Sequence, residues 1–168
     1  MEKYARFRYQ PCLPLGKDGR RVTASKEHIE LSKKAATEGI VLLKNDGTLP
    51  LRNVKKIAVI GPNSDDIKAQ YGDWTYFSHP IWNPEHPPVR PYTTVKEGIE
   101  ALLPDAEISL IPACSLAYDA DISENELAEA VSAATSSDIA IICVGEDYHY
   151  SGEANCRTDL TLNKAQKR

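Results

Sequence analysis

The sequence predicts an α/β fold: a partial doubly wound parallel sheet with helices on both faces, truncated to about three strands. Two observations carry this. Three short apolar-rich runs lie at 56–61, 106–111 and 138–144, and the first of them is continuous, as in a strand buried on both faces. Between them lie segments whose apolar residues recur at helical spacing, so strand and helix alternate along the chain and the sheet is expected to be parallel.

The elements follow in order. Residues 1–24 are rich in Arg, Lys, Pro and Gly, and "QPCLPLGKDGRR" has the character of an extended linker or wrap-around segment. Residues 25–168 form the domain proper. In "SKEHIELSKKAATEGIVLLKN", Ile29, Ala36, Ile40 and Leu43 fall at helical spacing, with Ser25 fitting the N-cap. Gly39 inside that pattern costs about 1 kcal/mol relative to Ala, which marks close packing or a weak spot. "NDGTLPL" supplies the turn residues that stop the helix, and "KKIAVIGPN" is the first strand. A short helix, "DDIKAQYG", follows. "SHPIWNPEHPPVRPY" holds five of the eleven prolines, so it is expected as a surface loop or lid. "TTVKEGIEALLP" is a helix capped by Thr93 or Thr94, and "EISLIPA" the second strand. In "SENELAEAVSAATSS", Ser123 is the cap and Glu126 sits at the capping-box position. "DIAIICVG" is the third strand. "LTLNKAQKR" has a cap-like Asn163 and the first turn of a further helix. Three strands and that turn make half of a doubly wound domain, for which truncation is the simplest account. The third strand would then be left partly uncovered, and the chain alone is expected to be marginal or aggregation-prone.

Composition narrows the function classes. The 168 residues are 42% hydrophobic and 26% charged, as in an ordinary globular protein. A net charge of −4 offers no basic face for nucleic acid. No apolar run approaches the roughly 20 residues of a membrane span, so no membrane partner is expected. "MEKYARFRYQ" lacks the apolar core of a secretory signal. Cys12, Cys114, Cys143 and Cys156 include no C-x-x-C pair, so free thiols in a reducing, cytoplasmic setting are the expectation. Cys143 falls in a buried strand pattern as a small core residue, while Cys156 lies in a charged loop. His28, His79, His86 and His149 show no metal-ligand spacing. "IAVIGPNSDD" has a single glycine followed by Pro62, and neither G-x-G-x-x-G nor a P-loop is present. No metal or organic cofactor is implied.

Chemistry concentrates in "VGEDYHYSGEANCRTDL", residues 144–160, which places Glu146, Asp147, Glu153, Arg157 and Asp159 just past the carboxyl end of the third strand. Open α/β sheets put their ligands there. A carboxylic acid in such a place can act as a general acid where its surroundings keep it protonated. Cleaving a glycosidic bond needs two such groups flanking the sugar. The plain alternative is a set of solvated loop charges, with His149 a hydrogen-bonding bystander.

Six segments decide between these: "AATEGIVLLKNDGTLPL", "KKIAVIGPNSDD", "YGDWTY", "TTVKEGI", "SDIAIICVGE" and "SGEANCRTDLTL". In order and spacing they resemble the second, α/β-sandwich domain of glycoside hydrolase family 3, the β-glucosidase and β-xylosidase family, over nearly all of residues 25–163. Residues 1–24 look similar to the family's exit from its preceding TIM-barrel domain. The resemblance implies a retaining β-glycosidase whose acid/base carboxylate is Glu153, with Ser151 and Arg157 shaping its loop and Asp159 following. Arg157 and Asp159 are the matching sugar-site residues. Glu146 is the rival carboxylate and resembles a position held for structural reasons, fixing the loop by accepting backbone N–H bonds. Trp74 matches a Trp that lines the pocket entrance and stacks on the sugar, aromatic faces suiting the C–H faces of pyranoses; packing against the barrel or the proline-rich loop is the alternative. Trp82 has no counterpart. The nucleophilic aspartate belongs to the absent barrel, so the implied partners are that domain and a β-linked oligosaccharide or an aryl or alkyl glycoside. A non-catalytic α/β module is the reading from another class. The family's β-N-acetylglucosaminidase branch takes its acid/base from the barrel, and "SGE" with Arg157 argues against it.

Overall fold

The computed structural model describes residues 25–72, 92–147, 149–150, 152–153, 155 and 157–168. The chain divides into two compact units, Met1–Pro50 and Leu51–Arg168. In the first, helix α1 spans Lys26–Gly39, and the Ser25 hydroxyl accepts from His28 N at 3.4 Å as the expected cap. The helix stops earlier than the apolar spacing suggested. Ile40 is extended at φ −69°, ψ 127°, so Ile40 and Leu43 lie past its end. Gly39 weakens the last turn, and the β-branched pair Ile40–Val41 resists the helical χ1 wells. Asn45 then closes the turn, its Oδ1 accepting from Leu49 N at 3.0 Å and its amide donating to Leu49 O at 2.9 Å.

The second unit holds a three-stranded parallel sheet in the order β2–β1–β3, with β1 at Lys56–Ile60, β2 at Glu107–Ile111 and β3 at Ile139–Ile142. All three predicted strands are present and parallel. Ile57 stands opposite Ile108 and Ile139, and Ile60 opposite Ile111 and Ile142. Ile57, Ala58 and Val59 are 0% exposed, and because neighbouring side chains point to opposite faces, both faces of β1 are covered. Burying Ile57 or Val59 contributes about 1.5–3 kcal/mol each.

The connections follow from local chemistry. Helix α2, Ile67–Tyr71, is capped by Asp66, whose carboxylate accepts from Lys68 N at 2.8 Å. Thr94, not Thr93, caps α3 at Val95–Leu102, and Glu97 completes a capping box. Ser123 and Glu126 form the same box at the start of α4, Glu124–Thr135. β2 and β3 flank β1 on opposite sides, so right-handed crossovers put α3 and α4 on opposite faces. The small residues Ala130, Ala133 and Ala134 let α4 sit close over Ala58 and Ile60. None of the described helices is long and apolar enough to cross a membrane.

At the amino ends of the strands, Asp138 staples β3 to β1. Its Oδ2 accepts from Lys55 N at 2.8 Å and Lys56 N at 2.9 Å, while its own N–H donates to Lys56 O at 2.9 Å. Those two backbone donors hold its carboxyl below the usual carboxylate range. At the far ends, Ile142 and, two residues past β3, Val144 are 57% and 41% exposed.

Candidate active site

The carboxyl end of β1 turns sharply at Gly61, whose φ of 115° suits only glycine. A Cβ there would lie 2.2 Å from Cys143 O. The two strand exits are therefore in backbone contact, with Cys143 N donating to Ile60 O at 2.7 Å and Asn63 N to Cys143 O at 3.3 Å. Cys143 lies one residue past β3 and is half-buried rather than deep in the core, a free thiol whose pKa burial pushes up. The Ser64 hydroxyl, 2% exposed, closes the β1 turn by donating to Gly61 O at 2.6 Å.

Beyond Gly145 the chain leaves the sheet and is shaped by short turns. Tyr150 N donates to Asp147 O at 3.2 Å, and Asn155 N to Gly152 O at 3.2 Å. Gly152 has φ 99°, a left-handed backbone that glycine adopts without a Cβ clash. Glu153 stands exposed on the second of these turns. His149 is tied to Asp147, its backbone N–H donating to Oδ1 at 2.9 Å and its Nδ1 lying 2.9 Å from Oδ2.

Arg157 organises the rest. Its guanidinium pairs with the Glu146 carboxylate, donates from Nη2 to Thr161 O at 2.8 Å, and lies 5.5 Å over the Tyr118 ring. The side chains of Arg157 and Glu146 are 15% and 32% exposed, so screening of the pair is incomplete. The partner described for Glu146 is thus a guanidinium rather than the backbone N–H groups expected from the sequence. Asp159 has both oxygens engaged by Thr161, accepting from its N at 2.8 Å and its hydroxyl at 3.0 Å. The backbone bond, then the hydroxyl, draws the Asp159 carboxyl below its ordinary value.

These contacts enclose a cavity of about 340 Å³ lined by Glu146, Tyr150, Asn155, Arg157, Asp159, Leu160, Thr161 and Leu162. The Arg157 Nε–H is buried with no acceptor among the described residues. Of the site residues named from sequence, Arg157 and Asp159 line this cavity together, and Glu153 lies outside its lining. Trp74, Ser151 and Cys156 fall outside the described residues. Sequence reasoning missed Tyr118 and Gln166. Tyr118 sits in the β2–α4 connection with no periodicity to mark it. Gln166, within the expected last turn, exchanges two hydrogen bonds with Gly145. Among the described residues no cluster of His, Cys, Asp and Glu could hold a metal ion.

Residues 40–168 match the model of the glycosyl hydrolase family 3 C-terminal domain. The chain belongs to that family. It is 60% identical over 62 residues to β-glucosidase A of Butyrivibrio fibrisolvens, a stretch covering 36% of this chain and 8% of that protein. It is 30% identical over 149 residues to a β-xylosidase of Formosa agariphila, covering 86% of this chain and 20% of that protein. Among solved structures, a β-glucosidase involved in saponin metabolism from intestinal bacteria superposes with a TM-score of 0.68 at 30% identity, over 83% of this chain and 23% of that one. This family 3 chain spans at most about a fifth of the length of those two curated relatives.

Proposed function

We propose that this chain supplies the general acid/base of a retaining β-glycosidase acting on terminal β-glucosides or related β-glycosides, and that Glu153 is that group. The observation that supports the reading is Glu153 on the Gly152 turn past the third strand, a turn that Asn155 closes and that adjoins, through Asn155, a cavity walled by Arg157. Family membership and relatives named β-glucosidase and β-xylosidase support it.

In this reading residues 25–168 are part of the second domain, and residues 1–24 arrive from a TIM barrel that provides the nucleophilic aspartate. The aspartate attacks the anomeric carbon while Glu153 protonates the departing oxygen; Glu153 then deprotonates the water that releases the sugar. Arg157, in the cavity wall, contributes to the sugar site. Trp74 stacks on the ring beyond the cleaved bond, and Asp159 orders the loop facing the substrate through Thr161. The partners are the barrel and a β-linked oligosaccharide or an aryl or alkyl glycoside. The second reading, a non-catalytic α/β module, draws on the exposure of Glu153 and its place outside the cavity lining.

The test is made in the chain joined to its barrel, since the 168 residues alone should show no turnover. Glu153→Ala should leave glycosyl-enzyme formation from activated substrates largely intact. Substrates with poor leaving groups should lose on the order of a hundredfold or more in rate. Azide, a nucleophile needing no base, should partly restore turnover of the activated substrates. Glu146→Ala should show neither effect. Azide rescue of Glu146→Ala alone would move the acid to the strand end, and rescue of neither would favour the module.

A further inference from the structure

Gly145 follows the last residues of β3 at the sheet's edge, where no further strand is described to pair with it. A side chain takes that role. Gln166 Oε1 accepts from Gly145 N at 2.9 Å, and Gln166 Nε2 donates to Gly145 O at 2.9 Å, so one carboxamide reproduces both bonds of a neighbouring strand. The clasp joins residues 21 apart, and the whole Glu146–Thr161 loop lies between them.

The clasp is itself anchored. Gln166 N donates to Asn163 Oδ1 at 3.0 Å. Asn163, 7% exposed, donates to Ala117 O at 2.8 Å and Ser115 O at 3.2 Å. Ala165 is 2% exposed, while the Lys164 ammonium points away to an exposed pair with Asp121 at 2.6 Å that adds nothing to the anchor. Gln166 therefore hangs from a fixed turn rather than from a mobile end, and it pins the residue directly before Glu146. The Glu146–Arg157 pair carries that restraint on to the far side of the loop.

We propose that Gln166 is a positioning residue: its clasp on Gly145 closes the loop and holds Glu153 in the place the reaction needs. The proposal rests on the reading of Glu153 as the acid/base. Closing a loop of this length at its base removes conformations from the open chain, and a general acid displaced by about 1 Å can lose on the order of a hundredfold in rate.

The variant Gln166→Met keeps the side chain's volume and removes both bonds. In the barrel-containing enzyme it should lower kcat on poor leaving groups about tenfold to a hundredfold, with KM and the rate on activated substrates much less affected. Azide should not restore it, because the carboxylate is still present. Exchange of the Gly145 amide proton should accelerate, a readout that does not depend on Glu153. Lys164→Ala, which cuts only the surface pair to Asp121, should change neither readout. Should Gln166→Met not fold, Gln166→Glu keeps the acceptor, loses the donor to Gly145 O, and should give the same leaving-group split. Unchanged kcat on poor leaving groups would overturn the proposal, as would an equal loss on both substrate classes. If Glu153→Ala shows azide rescue while Gln166→Met is silent, only the clasp fails. If Gly145 exchange accelerates but Glu153→Ala is not rescued, the assignment of Glu153 fails instead.

Discussion

β1 and β3 lie side by side and each runs out of the sheet into a glycine, yet the two exits are held by different means. At Gly61 the chain is fixed by other backbone: its N–H donates to Ile111 O at 2.9 Å, and a Cβ would fall 2.2 Å from Cys143 O. At Gly145 the holding group is a side chain, the Gln166 carboxamide, and the atom nearest an added Cβ is also a side chain's, Asn63 Nδ2 at 2.8 Å. Backbone cannot move aside without unpicking the sheet, whereas a side-chain amide can swing away. The first exit is therefore part of the frame. The second is an adjustable joint, and it is the one that leads to Glu146, Glu153 and Arg157.

Breaking the first exit should have the largest effect. Gly61→Ala must abandon a left-handed φ and the Cys143 contact together, and should cost about 4 kcal/mol or more, enough to abolish a cooperative melt. Arg157→Ala comes next. It leaves Glu146 partly buried without its cation and uncovers Tyr118, and should cost about 1–3 kcal/mol by denaturant unfolding. Gly145→Ala meets only the movable Asn63 amide but must also leave φ 159°, and should cost about 1–3 kcal/mol, less than Gly61→Ala. A loss at Gly145 equal to that at Gly61 would erase the distinction between the exits.

The opposite ends of the same two strands give the smallest and most conditional effect. Asp138 joins them with a carboxylate whose pKa is lowered by the Lys55 and Lys56 backbone donors. A depressed folded-state pKa means this stabilisation is fully present above the ordinary Asp value near 4 and is lost as pH falls through the lower folded value. Urea unfolding between about pH 5 and pH 2 should show Asp138→Asn losing less stability on acidification than the parent chain. Parallel curves for the two proteins would remove Asp138 from the acid response.

What could be read in advance had short-range causes. The central strand β1 shows as an unbroken apolar run because it is covered on both faces, and Ile57, Ala58 and Val59 are indeed 0% exposed. The cap at Ser123 is legible because a capping box joins residues only three apart, whereas the choice between Thr93 and Thr94 was left to the structure. The end of α1 at Gly39 was missed because apolar spacing carried on past a residue that backbone preference made the stop. Glu153 stood out by resemblance rather than by composition, since a carboxylate in a polar loop looks the same whether it reacts or is merely solvated.

The sequence by itself determined the strands and helices and their order, and pointed to the stretch of chain proposed to carry the chemistry. Only the tertiary structure decided how that stretch is held. Asp138 meets Lys55 from 83 residues away, Gln166 meets Gly145 across 21, and Arg157 finds its ring in Tyr118 on another connection. Such partners leave no periodic trace, because hydrogen bonds and ion pairs between distant residues depend on where the sheet brings the chain together, and no local propensity encodes that meeting.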